Sequence, residues 1–325
     1  MGGLTEFKKR QGVGMPDNTH EVDHWPGHPI SYTTTHLKMF FNEQFLATGT
    51  AFIMKYAGKY GLVTNWHVVS GRNPITGKCL SSNGGIPNMA KCHVALVHRL
   101  DDGPRFTETI HFLPVEIPLI DEEGRAIWSD NRANDPLSDY VIILLDKLIP
   151  ELDQPRHSLR AIQAGVVTIK RGKKATNKVK PEDVNHFYPQ VGHQVFIVGY
   201  PVGVEHSGVF PIWKGGTIAS EPTSSLSLAG VETDDVIYVD GLTRAGMSGS
   251  PVICLQKPGD SYFTDDGVKI TVSKAEPLLV GVYAGRDGVT NSEADLALGR
   301  VWKVAALERL FGESITGARS SQVNT

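Results

Sequence analysis

Residues 241–252, Gly-Leu-Thr-Arg-Ala-Gly-Met-Ser-Gly-Ser-Pro-Val, constrain this chain more than any other stretch. They set Ser248 in a glycine-flanked turn, and Pro251 then opens the apolar run Val252, Ile253, Cys254, Leu255, the pattern of a buried strand. Glycine at 246 and 249 lets the main chain take positive φ and lets a carbonyl approach its N–H groups with no side chain in the way. An ordinary turn between two strands would read the same. A serine hydroxyl is a weak nucleophile until a histidine takes its proton and a carboxylate orients that histidine, so the partners decide between the two readings.

His67 ends the apolar stretch Tyr60-Gly61-Leu62-Val63-Thr64-Asn65-Trp66-His67-Val68-Val69, which reads as a strand. Residues 47–54 read as the strand before it, turning back around Ala57, Gly58 and Lys59. A histidine beside an apolar strand is commonly a half-buried structural residue, yet the other eleven histidines lack even this setting. Asp139 opens Asp139-Tyr140-Val141-Ile142-Ile143-Leu144-Leu145, a strand buried on both faces by its pattern. A carboxylate at the mouth of such a strand is partly desolvated and needs hydrogen bonds from something like an imidazole. Asp135 and Asp146 flank the same strand, but one precedes Pro136 in a loop and the other precedes Lys147, the settings of solvated charges.

The order along the chain is histidine, aspartate, serine. An α/β-hydrolase needs its histidine after the serine, whereas the last histidine here is His206. A subtilisin-like order needs an aspartate before the histidine, and only Asp17 and Asp23 precede His67, both in a polar leader. The remaining order is that of the chymotrypsin architecture.

Length and composition suit an all-β chain. With 325 residues, 34 glycines and 19 prolines it can build one large or two intimate β-domains, and a net charge of −3 gives no reason to expect nucleic-acid or membrane partners. Residues 1–30 form a polar leader with no apolar core of a signal peptide, and no stretch is long enough to span a membrane. His20, His24 and His28 are evenly spaced, but Pro26 and Gly27 break any helix that would align them, so no metal site is expected. The cysteines Cys79, Cys92 and Cys254 are odd in number and form no Cys-x-x-Cys, which points to a reducing, cytoplasmic location. Residues 72–134 read as insertions with loop-like tips at 81–85 and 101–104. The run of residues 170–180 is basic without interleaved aromatics, the composition of a solvated linker rather than a nucleic-acid site, and residues 166–190 are read as that linker. Helical spacing of Val301, Val304, Ala305, Leu307 and Leu310 predicts a C-terminal helix over 301–311, followed by a polar tail at 312–325.

Six segments occur in the right order: Thr48-Gly49-Thr50-Ala51-Phe52, Thr64-Asn65-Trp66-His67-Val68-Val69, Ser138-Asp139-Tyr140-Val141-Ile142, Val198-Gly199-Tyr200-Pro201, Lys214-Gly215-Gly216-Thr217-Ile218-Ala219-Ser220 and Gly246-Met247-Ser248-Gly249-Ser250-Pro251. Together they closely resemble the bacterial trypsin-like serine peptidases, the chymotrypsin-fold superfamily that includes the HtrA-type proteases. The resemblance implies two packed six-stranded antiparallel β-barrels, residues 31–165 and 191–311, the second carrying the C-terminal helix, with no room for a PDZ domain of the HtrA kind. It implies catalytic His67 and Asp139 from the first barrel, catalytic Ser248 from the second, and an oxyanion hole formed by the N–H groups of Gly246 and Ser248. The expected activity is cofactor-free endopeptidase action on a protein or peptide. The alternatives are a latent effector protease awaiting an activating protein partner and an inactive protease-fold binding module. By the same resemblance Leu242 floors the specificity pocket, with Thr243 beside it and Tyr283, Ala284, Gly285 and Arg286 facing it. That lining implies an apolar or small residue on the acyl side of the scissile bond, or an acidic one engaging Arg286, and not Lys or Arg.

The sequence departs from zymogen-activated relatives at Met247, where they carry an aspartate that pairs with a newly cut N-terminus. Activity is therefore expected to survive stepwise trimming of the leader. Activity that appeared only at one particular N-terminal residue would contradict this.

Overall fold

Alternation of apolar and polar residues builds the first sheet, as in the strand Thr34–Phe41, where Leu37 and Met39 are buried and Lys38 between them is exposed. A computed structural model describes residues 27–82, 84–101, 106–163, 168–169, 184–264, 267–286 and 298–316. In the N-terminal half seven strands run in the order Phe106–Pro118, Met89–Asp101, Thr34–Phe41, Gln44–Tyr56, Lys59–Thr64, Val141–Leu144, Ser129–Asp130. His157–Leu159 and Ile162–Gln163 pair with this sheet off the main path and bring it to nine strands. In the C-terminal half, Gln194–Gly199, Ile212–Ile218, Val236–Asp240, Leu298–Lys303, Pro277–Arg286 and Pro251–Leu255 form a closed antiparallel barrel. Pairing of Phe196 with Ile253 completes the ring.

The protein is thus mostly β with one closed six-stranded barrel, and the expectation of two such barrels is met in its second half. Among the described residues the nine-stranded sheet has no closing pair, because its end strands Phe106–Pro118 and Ser129–Asp130 each pair with a single neighbour and the latter is two residues long. The stretch read as insertions holds a long hairpin of the sheet. Met89–Asp101 and Phe106–Pro118 pair along thirteen residues each, with Ala90, Cys92, Val94 and Leu96 facing the core. The C-terminal helix is Val304–Thr316 and starts later than its spacing predicts, since Val301 and Trp302 still pair with Ile237 and Val236 in the barrel. The basic run 170–180, the first 26 residues and the tail from 317 lie outside the described residues. No described helix is long and apolar enough to cross a membrane.

Three strands are buried on both faces and weld the halves together. Ala51 and Ile53 of Gln44–Tyr56, Leu62 of Lys59–Thr64, and Val141 and Ile143 of Val141–Leu144 face the core of the first sheet. Their neighbours Phe52, Met54, Val63 and Ile142 face the other way, into a second core shared with the barrel and with Leu307, Leu310 and Phe311 of the C-terminal helix. All three cysteines are free, and burial pushes the Cys92 thiol up to about 12, which makes it inert at neutral pH.

Thr50 bridges the halves by hydrogen bonds. Its N–H donates to the Ser248 carbonyl at 2.8 Å, its hydroxyl donates to the Gly246 carbonyl at 2.7 Å, and the same hydroxyl accepts from the Tyr200 N–H at 3.1 Å. Thr64 adds a fourth bond, its hydroxyl donating to the Thr50 carbonyl at 2.7 Å. Thr50→Val keeps the shape but orphans a buried carbonyl and a buried N–H, each costing about 1–3 kcal/mol. Urea unfolding is expected to show that loss, and Thr50→Ser is expected to recover most of it. A change of less than about 0.5 kcal/mol in Thr50→Val, the range of ordinary surface substitutions, would contradict the bridge.

Candidate active site

The strand ending at Thr64 runs through Asn65 into the short helix Trp66–Ser70, so His67 sits in a helical turn and not on the strand that the sequence pattern predicts. Gly71, in the left-handed region at φ 64°, closes that turn. Asp139 lies at the mouth of Val141–Leu144 and is 0% exposed. Both of its carboxylate oxygens are engaged by one residue: Oδ2 lies 2.7 Å from His67 Nδ1, and Oδ1 accepts the His67 N–H at 2.9 Å. The carboxylate thereby fixes how the imidazole is turned, with Nδ1 toward Asp139 and Nε2 on the opposite, outward side of the ring. The His67 side chain is 17% exposed, so the outward nitrogen is reachable.

Residues around the pair brace its main chain. Asn65 Nδ2 donates to the Asp139 carbonyl at 2.6 Å. The Arg132 guanidinium donates to the Ser138 carbonyl and to the Pro74 carbonyl, each at 3.0 Å, and lies 4.0 Å over the Trp66 ring. Burial pulls the Arg132 pKa down, against the opposing charges of Asp139, Asp130 and Asp135. Arg132 therefore ties the residue before Asp139 to the residue before His67. Asp135 and Asp146 lie elsewhere in the hydrogen-bond pattern, Asp135 capping the Leu137 N–H at 3.0 Å and Asp146 accepting from the Tyr60 N–H at 3.0 Å.

Across the junction, Gly246 and Gly249 take φ of 90° and 88°, a region unfavourable to any other residue. A Cβ on Gly249 would overlap the Thr50 carbonyl, and one on Gly246 would overlap the Tyr200 carbonyl. The turn is thereby pressed flat against both halves. Gly49 shows how close they come, since a Cβ there would lie 2.9 Å from Val68 and 3.6 Å from the Ser248 carbonyl. Met247, Gly249 and Ser250 donate their N–H groups to Arg244, Tyr283 and Met247 carbonyls at 3.2, 2.9 and 3.1 Å. Among the described residues the N–H groups of Gly246 and Ser248 are spent on no such carbonyl. The described bonds of the His67 ring run to Asp139 and none runs to Ser248. Met247 is fully buried in the barrel core.

The residues expected to bind substrate divide into two groups. Gly285 lies against Ser248, a Cβ there falling 3.9 Å from Ser248 Oγ, and Ala284 and Arg286 flank it on the end of Pro277–Arg286. Leu242, by contrast, is 54% exposed and floors no buried pocket. The following residue turns inward instead: Thr243 is buried, with Oγ1 2.5 Å from the hydroxyl of buried Tyr283. Sequence reasoning missed Arg132, which lies between motifs, and passed over Thr50 and Asn65 inside the motifs it did single out. Two polar residues in apolar strand ends were the available signal, since such residues must find partners when buried. Among the described residues no group of three or more His, Cys, Asp or Glu side chains is placed to hold a metal, and His20 and His24 lie outside them.

Comparison with known proteins agrees with this geometry at the level of the family. No curated protein matches the sequence. Solved structures similar to it include the Rv3671c protease of M. tuberculosis in its active form, at 14% identity over 87% of this chain and 81% of that one with a TM-score of 0.41. The serine endoprotease of Yersinia pestis matches at 12% identity over 91% and 70% of the two chains with a TM-score of 0.40. Deg5 matches at 15% identity over 88% and 90% with a TM-score of 0.42. A profile of the trypsin-like peptidase domain matches residues 49–257, a span that runs from the glycine beside the Ser248 carbonyl through His67, Asp139 and Ser248 and covers more than half of the sequence, and the chain therefore belongs to the trypsin-like peptidase family.

Proposed function

We propose that the protein is a serine endopeptidase acting through His67, Asp139 and Ser248, with the nine-stranded sheet standing where the first barrel of a two-barrel peptidase would be. The observation that carries this reading is the His67–Asp139 pair, in which a single buried carboxylate receives both the ring and the main-chain N–H of one histidine. Ser248 Oγ attacks the scissile carbonyl while His67 Nε2 takes the hydroxyl proton. The carbonyl oxygen gains negative charge and is met by the N–H groups of Gly246 and Ser248. His67 then passes its proton to the departing amine, and the acyl-enzyme forms on Ser248. Water, deprotonated by His67, attacks that ester and the serine is released. Asp139 stabilises the imidazolium in both halves without itself taking the proton.

No metal or cofactor enters this cycle. A latent effector that needs a protein partner is the second reading. It is favoured by one observation: the described bonds of the His67 ring stop at Asp139 and do not reach Ser248.

Hydrolysis of casein by the full chain tests both readings. Ser248→Ala and His67→Ala are expected to lower turnover on the order of 10⁶-fold, and Asp139→Asn on the order of 10⁴-fold with KM little changed, by analogy with measured serine-protease triads. Activity that emerges only on adding cell extract, and only with Ser248 present, would establish the latent form. Undiminished hydrolysis by the Ser248→Ala variant would overturn the peptidase assignment of this site.

A further inference from the structure

A side chain on the acyl side of the scissile bond enters beside the end of Pro277–Arg286, where Gly285 borders Ser248 Oγ, in the space between that strand end and the segment leading to the Ser248 turn. In this chain that space holds one of its own side chains. Tyr283 is 1% exposed. Its main chain is fixed to the nucleophile's turn, since the Tyr283 N–H donates to the Ser250 carbonyl at 2.8 Å and the Tyr283 carbonyl accepts the Gly249 N–H at 2.9 Å. Its hydroxyl is pinned at the far end by Thr243 Oγ1 at 2.5 Å. The edge of its ring packs on Gly299 of Leu298–Lys303, so tightly that a Cβ on Gly299 would overlap the ring edge and stand 3.1 Å from both Cζ and the hydroxyl oxygen.

A register shift explains the placement. Tyr283 pairs with Val301 but Arg286 pairs with Gly299, so three steps on one strand face two on the other. Such a bulge re-aims the residues at its edge. It brings the Tyr283 ring diagonally across Gly299 and toward Thr243. The ring is then held at both ends, by a main-chain zipper to the Ser248 turn and by a hydroxyl bond to the segment just before it.

We propose that Tyr283 fills the specificity pocket from within and limits this peptidase to substrates whose acyl-side residue is glycine, alanine or another side chain of that size. The proposal rests on the peptidase reading of Ser248 and deepens it by naming the substrate class. It leaves no depth for an acidic side chain to reach past the ring, and Leu242, open to solvent, offers no alternative floor.

The test uses the full-length protein and a series of peptidyl diphenyl phosphonates that differ only in the acyl-side residue, Ala, Val, Leu, Phe, Glu or Arg. Rates are referred to a fluorophosphonate with no side chain. The wild type is expected to react with the Ala probe roughly tenfold or more faster than with the Phe probe, the scale set by a filled apolar pocket. In Tyr283→Ala and the better-packing Tyr283→Val the Phe and Leu probes are expected to gain on the Ala probe by a similar factor. Equal wild-type rates for Ala and Phe would overturn the proposal, as would an unchanged Ala-to-Phe ratio in either folded variant. The wild-type ratio decides the matter alone if neither variant folds. Failure of the fluorophosphonate to label Ser248 at all would instead remove the peptidase reading and the proposal with it, and the two failures are distinct.

Discussion

The bond from the Thr50 N–H to the Ser248 carbonyl is the contact on which the arrangement of the site depends. It joins a strand of the first sheet to the turn of the second half at the residue where chemistry is expected. The Thr50 hydroxyl spans a sequence separation of 196 residues to reach the Gly246 carbonyl, so the turn takes its shape from both halves at once. Both carbonyls, of Gly246 and of Ser248, are thereby turned toward Thr50.

The doubly buried strands make that contact rigid. Phe52 and Met54 face the barrel while Ala51 and Ile53 face the first core, and Thr50 lies at the start of the same alternation. Val141–Leu144 is packed the same way, and this is why Asp139 at its mouth is out of water. A charge in that position is tolerable only with donors on both oxygens, and His67 supplies them. Burial of the strand thus leaves the carboxylate to its His67 partner, and the carboxylate dictates how the imidazole is turned.

Much of the site was legible in the sequence because it depends on local chemistry. Glycines at 246 and 249, the aspartate opening an apolar run, and the order of His67, Asp139 and Ser248 need no tertiary information. The rest turns on which element packs against which. A period of two tells which residues share a face, but it does not tell whether a sheet closes or how far a hairpin such as Met89–Asp101 with Phe106–Pro118 extends. Val301 has the spacing of a helix residue and is claimed by the barrel because Ile237 lies opposite it. Leu242 and Thr243 exchange their expected roles, the leucine exposed and the threonine buried, because the turn faces Thr243 toward Tyr283. The Tyr283 ring owes its position to a bulge that no residue pattern announces.

The central claim is that Ser248 is a base-activated nucleophile, and mass spectrometry of the full chain after reaction with a fluorophosphonate tests it most directly. The account predicts a single adduct on the peptide containing Ser248, forming far more slowly in His67→Ala and not at all in Ser248→Ala. An adduct on another serine, or equal labelling of Ser248 with and without His67, would contradict it.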